Sequence, residues 1–146
     1  MRKVRLMLVI VAVTMRAMHQ PPFDIDVQTA YLPDQSAPDR QVFAFSYTIT
    51  ITNTGPRPAQ LIARHWIIHD GDGPQDEVRG LGVVGQQPML QPGEHFQYTS
   101  GCRLRSEAGS MRGSYRFVTE EGEPFDVPIA RFLLDAAQGG TGRVLH

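Results

Sequence analysis

The sequence predicts an all-β fold, an antiparallel β-sandwich of about seven strands. Three observations predict it. From residue 23 onward the apolar residues recur with period two, the spacing of a strand with one face on a core and one in water. The runs are short and are punctuated by the chain's 14 glycines and 11 prolines, which break strands into hairpins. No segment carries a sustained apolar stripe at helical spacing.

The elements follow in order. Phe23, Ile25, Val27, Thr29 and Tyr31 alternate with Asp24, Asp26 and Gln28 as a first strand. Residues 33–39, with two Pro-Asp steps, form a polar loop. Phe43, Phe45, Tyr47, Ile49 and Ile51 then alternate with Ala44, Ser46, Thr48, Thr50 and Thr52, and Asn53-Thr54-Gly55-Pro56 ends this second strand. A third strand over residues 61–69 places Ile62, Arg64, Trp66 and Ile68 on one face, with Trp66 where immunoglobulin-like folds bury a tryptophan. Residues 70–74 close it. The glycine-rich window 78–85 is strand-like, with Val78, Val83 and Val84 as its apolar groups. After a Pro92-Gly93 turn, Phe96, Tyr98, Cys102 and Leu104 share a face. Met111, Tyr115 and Phe117 alternate with Arg112, Ser114 and Arg116, residues 120–124 turn the chain, and Phe125, Val127 and Ile129 begin a last strand. Pro128 within that strand is tolerated only at a sheet edge or a bulge.

At 146 residues the chain is one domain of ordinary size, with room for a real core. The fold occupies residues 23–137. Residues 1–22 are an extension outside it: a basic cluster and the apolar run 6–13 outline a secretory signal, but Arg16 follows at once and no small-x-small cleavage site appears. The run is also far short of the about twenty residues that span a bilayer. It reads as disordered, or as a start set ahead of Met15 or Met18. Residues 138–146 read as a flexible tail.

Formal net charge is −1, yet four of the 14 basic residues precede Asp24, so 10 basic residues face 15 acidic ones in the remainder, a net of −5. A nucleic-acid-binding domain has the opposite sign, and nothing here favours a membrane surface. One cysteine, Cys102, excludes an internal disulfide and a cysteine-rich zinc site. A reducing, cytoplasmic setting suits it.

The candidate binding residues are Arg79, Gly80, Gly82 and Gly85. The glycines have G-x-G-x-x-G spacing, which cradles a pyrophosphate when it opens a helix. Here Gln86, Gln87, Pro88 and then Pro92-Gly93 follow, so no helix begins within reach. A nest of backbone N–H groups remains as a phosphate or nucleotide site, against glycines that serve only a bulge, a positive φ or a close backbone approach. Asp70, Asp72, Asp76 and Glu77 resemble the opening of a calcium loop, but Pro74, Gln75 and Leu81 stand where the template needs a ligand, a glycine and a glutamate. His65 and His69 share a strand face ~13 Å apart at ~3.3 Å per residue, too far for one metal. Thus no metal, no cofactor and no catalytic residue is expected: a G-x-S-x-G elbow is missing, Cys102 sits at an apolar position, and Glu120, Glu121 and Glu123 form a solvated turn.

The strings VQTAYLP, FAFSYTITITNTG, VRGLGVVGQQPMLQPGEHFQYTSG and GSMRGSYRF, in this order, resemble the ApaG family of bacterial proteins over roughly residues 25–135. The block from Gly80 to Gly101 is the most specific part. The resemblance implies a fibronectin type III-like sandwich, an association with cobalt resistance and magnesium efflux, and a name drawn from a gene neighbourhood concerned with diadenosine tetraphosphate. Related domains in larger eukaryotic proteins look like protein-interaction modules. One departure is visible: the family's last strand usually reads Ile-Pro before its final aromatic, whereas Pro128 here precedes Ile129.

The expected function is therefore a non-catalytic protein-interaction module with an unidentified protein partner and weak self-association. The alternative is a sensor of a nucleotide or polyphosphate with Mg²⁺ at the glycine window.

Overall fold

The alternating runs fold as strands, and their parity decides which faces meet. The computed structural model describes residues 22–71, 73–138 and 141–145. In chain order its strands are β1 (Phe23–Tyr31), β2 (Phe43–Asn53), β3 (Ala59–Asp70), β4 (Gln75–Leu81), β5 (Met89–Leu90), β6 (His95–Leu104), β7 (Ala108–Thr119), β8 (Pro124–Asp135) and β9 (Thr141–Leu145). Two antiparallel sheets result, one in the order β6-β2-β1-β9 and one in the order β4-β3-β7-β8, where β5 also pairs with β3. The fold is the all-β sandwich the pattern predicts.

The inner faces carry the period-two apolar sets. Trp66 is 3% exposed, and its ring lies 5.5 Å from Tyr47, 5.9 Å from Phe132 and 6.2 Å from Tyr115, all steeply inclined. Edge-to-face packing of this kind adds to the gain from area burial. The two sheets are also joined by polar contact, since the buried hydroxyls of Tyr98 on β6 and Tyr115 on β7 are 2.5 Å apart. Burial raises both phenols above their ordinary range, so the pair stays neutral and one hydroxyl donates to the other.

Four features differ from the sequence reading. A bulge between Leu61 and Ala63 on β3 inserts a residue, so the fully buried position is Leu61 and not Ile62. The glycine window is strand only to Leu81; past it the chain turns, Val83 plugs the core, and Val78 and Val84 are exposed. The two-residue β5 is too short to show a period. Residues 138–146, read as a flexible tail, contain β9, whose backbone pairs with β1 from Asp26↔Leu145 to Ala30↔Thr141. Thr-Gly-Arg-Val-Leu has too little alternation to announce a strand, and the bare edge of β1 supplies the partner for its backbone groups. Of the extension expected at residues 1–22, residues 1–21 lie outside the described residues, and the carbonyl of Pro22 accepts from the Thr54 N–H at 2.8 Å. Pro128 sits on β8, an edge strand with an irregularity between the Met111 and Gly113 pairings, as the proline requires.

Asn53, at the turn that ends β2, is a buried junction. Its side-chain amide donates to the carbonyls of Arg57 (2.8 Å) and Leu90 (2.9 Å), and its Oδ1 accepts from the Gly55 N–H (2.9 Å). It thereby fixes β5 beside β3 and, through β5, the loop that follows the glycine window.

Candidate functional site

Register brings together on the outer face of the β4-β3-β7-β8 sheet residues that are distant in sequence. Three cross-strand rows define it. The first runs Leu81, Ala63, Arg116, Asp126; the second Arg79, His65, Ser114, Pro128; the third Glu77, Ile67, Arg112. Ala63 and Ser114 are small, so the middle of the first two rows sinks into a depression of about 410 Å³ rimmed by Arg79, Arg116, Leu81 and Asp126. Opposite residues in an antiparallel pair project to the same side, which is why the cations converge there.

The charges are organised in pairs. Glu77 Oε1 lies 2.6 Å from His65 Nε2 and 2.7 Å from the Arg79 guanidinium. These contacts, that of Arg79 first, hold the Glu77 carboxyl below its usual range. Arg116 and Asp126 form a bidentate pair at 3.0 and 3.2 Å, which likewise lowers Asp126. Arg112 has no hydrogen-bond or ion-pair partner among the described residues. The face thus carries Arg79, Arg112, Arg116 and His65 against Glu77 and Asp126, a basic patch on an acidic domain.

Arg64 supports the site from the other side of the sheet. Its Nη1 donates to the carbonyls of Leu81 (2.9 Å) and Gly82 (3.0 Å). To reach them the guanidinium lies across Gly80, where a Cβ would be 2.7 Å from Nη1. A side chain at Gly80 would displace the Arg64 guanidinium from the position in which it reaches these carbonyls.

Of the sequence-predicted binding residues, Arg79 and Gly80 line the depression, whereas Gly82 and Gly85 do not. Arg79 projects from the outer face toward Glu77, while Gly80 has the parity of the inner face. Gly82 has φ +64° and a Cβ there would be 2.4 Å from the Gln86 carbonyl oxygen. Val84 (φ 43°) and Gly85 (φ 78°) are the two central residues of a tight turn closed by reciprocal hydrogen bonds between Val83 and Gln86, the primed geometry that demands positive φ twice. The N–H groups of Gly82, Val83 and Gln86 all donate to backbone carbonyls, so those donors are already engaged. Val84 is the unusual member, a β-branched residue in the left-handed region.

The other candidates have similarly local roles. Asp70 caps the turn after β6, accepting from the N–H groups of Arg105 (2.7 Å) and Ser106 (2.9 Å); Asp72 lies outside the described residues. Among the described residues no group of three or more His, Cys, Asp or Glu side chains is placed to hold a metal ion. Burial, with Asp70 and Asp76 nearby, pushes the Cys102 thiol up to about 11, so it is a thiol and not a nucleophilic thiolate near neutral pH. Sequence reasoning missed Arg64, His65, Ser114, Arg116 and Asp126 as a group. The alternation of Arg112, Ser114 and Arg116 already marks one outward face, but the register that sets Arg116 beside Ala63 and Asp126 is not written in it.

A family model for the ApaG domain matches residues 33–119. The chain belongs to the ApaG family. Protein ApaG of Acidovorax sp. (strain JS42) is 60% identical over 134 residues, covering 88% of this chain and 98% of that protein. Protein ApaG of Nitrosomonas europaea is 56% identical over 122 residues, covering 84% and 92%. A crystal structure from Bordetella pertussis, described as an ApaA protein, matches with a TM-score of 0.74 at 58% identity over 80% of this chain and 96% of that one. A second X-ray structure matches with a TM-score of 0.75 at 41% identity over 80% and 88%. The family model covers β2 to β7, the strands that carry Arg64, His65, Arg79 and the glycine turn.

Proposed function

We propose that this ApaG-family chain is a non-catalytic, cytoplasmic interaction module whose basic depression receives an acidic segment of a partner protein. The observation that carries the reading is the pairing of Arg79 and Arg116 around the small residues Ala63 and Ser114, on a domain otherwise rich in acid. Aspartate or glutamate side chains of a partner would compete for guanidinium groups that Glu77 and Asp126 hold at the surface, where such exchange costs little. Arg112 adds a cation whose side chain has no partner among the described residues. The link to cobalt resistance and magnesium efflux that the resemblance implies would then run through that partner and not through a metal site on this chain.

Support also comes from what the residues are already doing. The thiol of Cys102 is held protonated, Tyr98 and Tyr115 bond each other, and Asp70 caps a turn, so these groups have structural employment. The nucleotide-sensor alternative draws on Arg79 and the glycine turn, where the N–H groups of Gly82, Val83 and Gln86 already donate to backbone carbonyls, and it is the weaker reading.

The test is site-specific photo-cross-linking in cells, with the cross-linker at Ser114 on one sheet and at Thr50 on the other. The expected result is capture of a defined partner at Ser114 alone, through an acidic segment, and loss of that capture in an Arg116→Glu background. Equal capture at both positions would overturn the docking surface. Turnover of a nucleotide at an enzymatic rate by the purified chain would overturn the non-catalytic reading.

A further inference from the structure

The second surface is the edge of β4. In the β4-β3-β7-β8 sheet, β4 pairs with β3 on one side and has no strand on the other among the described residues. An uncovered edge presents a row of backbone N–H and C=O groups, which proteins guard with proline, bulges, very short strands or charged side chains, the last of these deterring any partner whose charges do not complement them. The opposite edge, β8, is guarded by Pro128 and by its irregular register. The seven residues of β4, Gln75–Leu81, include neither a proline nor a bulge. Val78 stands opposite Trp66, on the core side of the sheet, yet is 41% exposed, and no strand lies beyond it among the described residues.

We propose that the occupant of this edge is a second copy of the chain, joined antiparallel about a two-fold axis through Val78. Charge selects both partner and register. A two-fold axis normal to the sheet, which keeps outer face beside outer face, must pass through a residue of the strand, because side-chain direction alternates. Centred on Glu77 it would set Glu77 against itself. Centred on Arg79 it would set Arg79 against itself. Centred on Val78 it sets Glu77 of each copy opposite Arg79 of the other, twice, and places the two exposed valines in contact. The same register puts Asp76 of one copy opposite Gly80 of the other. Gly80 is the residue over which the Arg64 guanidinium lies, so Asp76 meets a cation there as well. Opposite charges facing across an antiparallel pair stabilise it and like charges destabilise it.

The consequence is a continuous sheet running β8-β7-β3-β4 and then back through the partner in reverse order. Arg79 belongs both to the depression and to the edge, so the two depressions come to flank the axis. This inference is independent of the docking reading, because it rests on the edge of β4 and not on the cavity.

The test is sedimentation velocity on the full chain from micromolar to millimolar concentration. The expected result is a reversible shift to twice the monomer mass, weakened by added salt. Glu77→Arg and Arg79→Glu each create like-charge pairs and should raise the dissociation constant at least about tenfold. The double exchange E77R/R79E restores opposite charges and should restore the dimer. Arg116→Glu, which damages only the depression, should leave the mass unchanged. A chain that stays monomeric at millimolar concentration overturns the proposal. So does a double exchange no better than either single change while circular dichroism shows all variants folded. Should the charge variants misfold, Val78→Cys decides: the axis places residue 78 opposite itself, within disulfide reach. It should cross-link on mild oxidation, whereas Gln75→Cys and the unaltered chain with Cys102 should not. Cross-linking no faster at 78 than at 75 would also overturn it.

Discussion

The two outer faces of this sandwich are built from the same kind of strand and end in opposite chemistry. On the β6-β2-β1-β9 sheet, the outward residues of β2 are Ser46, Thr48, Thr50 and Thr52, and two of them bond sideways. Thr48 lies 2.7 Å from Thr99 on β6, and the Gln97 amide donates to Thr50 at 3.0 Å. Threonine fits a pleated surface well, and a hydroxyl that bonds its neighbour asks nothing of a partner. On the β4-β3-β7-β8 sheet the outward residues are arginines around a hollow floored by Ala63 and Ser114. On the first face Thr48 and Thr50 bond their neighbours, beside the charged side chains of Asp24, Asp26 and Arg103; the second holds its charge in pairs around a hollow, where a ligand can exchange them. On the proposed reading, function belongs to that sheet face and not to the glycine motif.

The largest expected effect tests whether that motif belongs to the scaffold. Gly82→Val places a β-branched side chain at φ +64° and its Cβ on the Gln86 carbonyl oxygen. The left-handed conformation alone costs roughly 1–2 kcal/mol, and the clash adds to it, so chemical denaturation should show a loss of about 2 kcal/mol or more. A normal stability with lost binding of diadenosine tetraphosphate would instead make the turn a ligand site and undo the comparison. Arg64→Met comes next. It removes two hydrogen bonds from a charged donor to the Leu81 and Gly82 carbonyls, and a loss of about 1.5 kcal/mol is expected. Amide shifts should change along residues 80–88 and stay fixed along β2 and β6. Thr48→Ala, the matched change on the quiet face, removes one exposed hydroxyl pair and should cost no more than about 0.5 kcal/mol.

Much of this contrast was legible before the structure, though unevenly. Strands β1, β2, β7 and the start of β8 follow from alternation alone, because one face of each is buried and a slip of one residue would turn every Phe, Ile and Tyr to solvent. The bulge at Leu61 was not legible: Leu61 and Ile62 are equally apolar, and the inserted residue is set by how β3 must meet β7 and the loop after the glycines. Asn53 read as part of a turn, and nothing local indicates that its amide reaches Leu90, 37 positions on. The site was hidden for the same reason. Ala63, Arg116 and Asp126 are ordinary strand residues in sequence, and only cross-strand register makes a basic hollow of them. The glycines, by contrast, were conspicuous in sequence and modest in the fold, since a motif records the need for positive φ without saying what the need serves.

The smallest effect separates the two faces by pH. Glu77 and Asp126 have carboxyls held below their usual range, chiefly by Arg79 and Arg116. An unfolded chain releases these partners, so it binds more protons than the folded one as the solution is acidified. Stability therefore rises with pH across this window. The contribution is fully present above the ordinary carboxylate pKa of about 4 and is lost as pH falls through the lower folded values. Both pairs are largely exposed, so the slope is shallow and salt flattens it. Glu77→Gln with Asp126→Asn should flatten the pH dependence of the unfolding midpoint between about pH 5 and 3, with the midpoint slightly lower than the parent's at pH 7, where the contribution is fully present, and converging on it at the acid end. Thr48→Ala should leave the whole profile in place. If the double amide variant keeps the parent slope, the acid sensitivity arises elsewhere, and the charged face is no more responsive to its surroundings than the threonine face behind it.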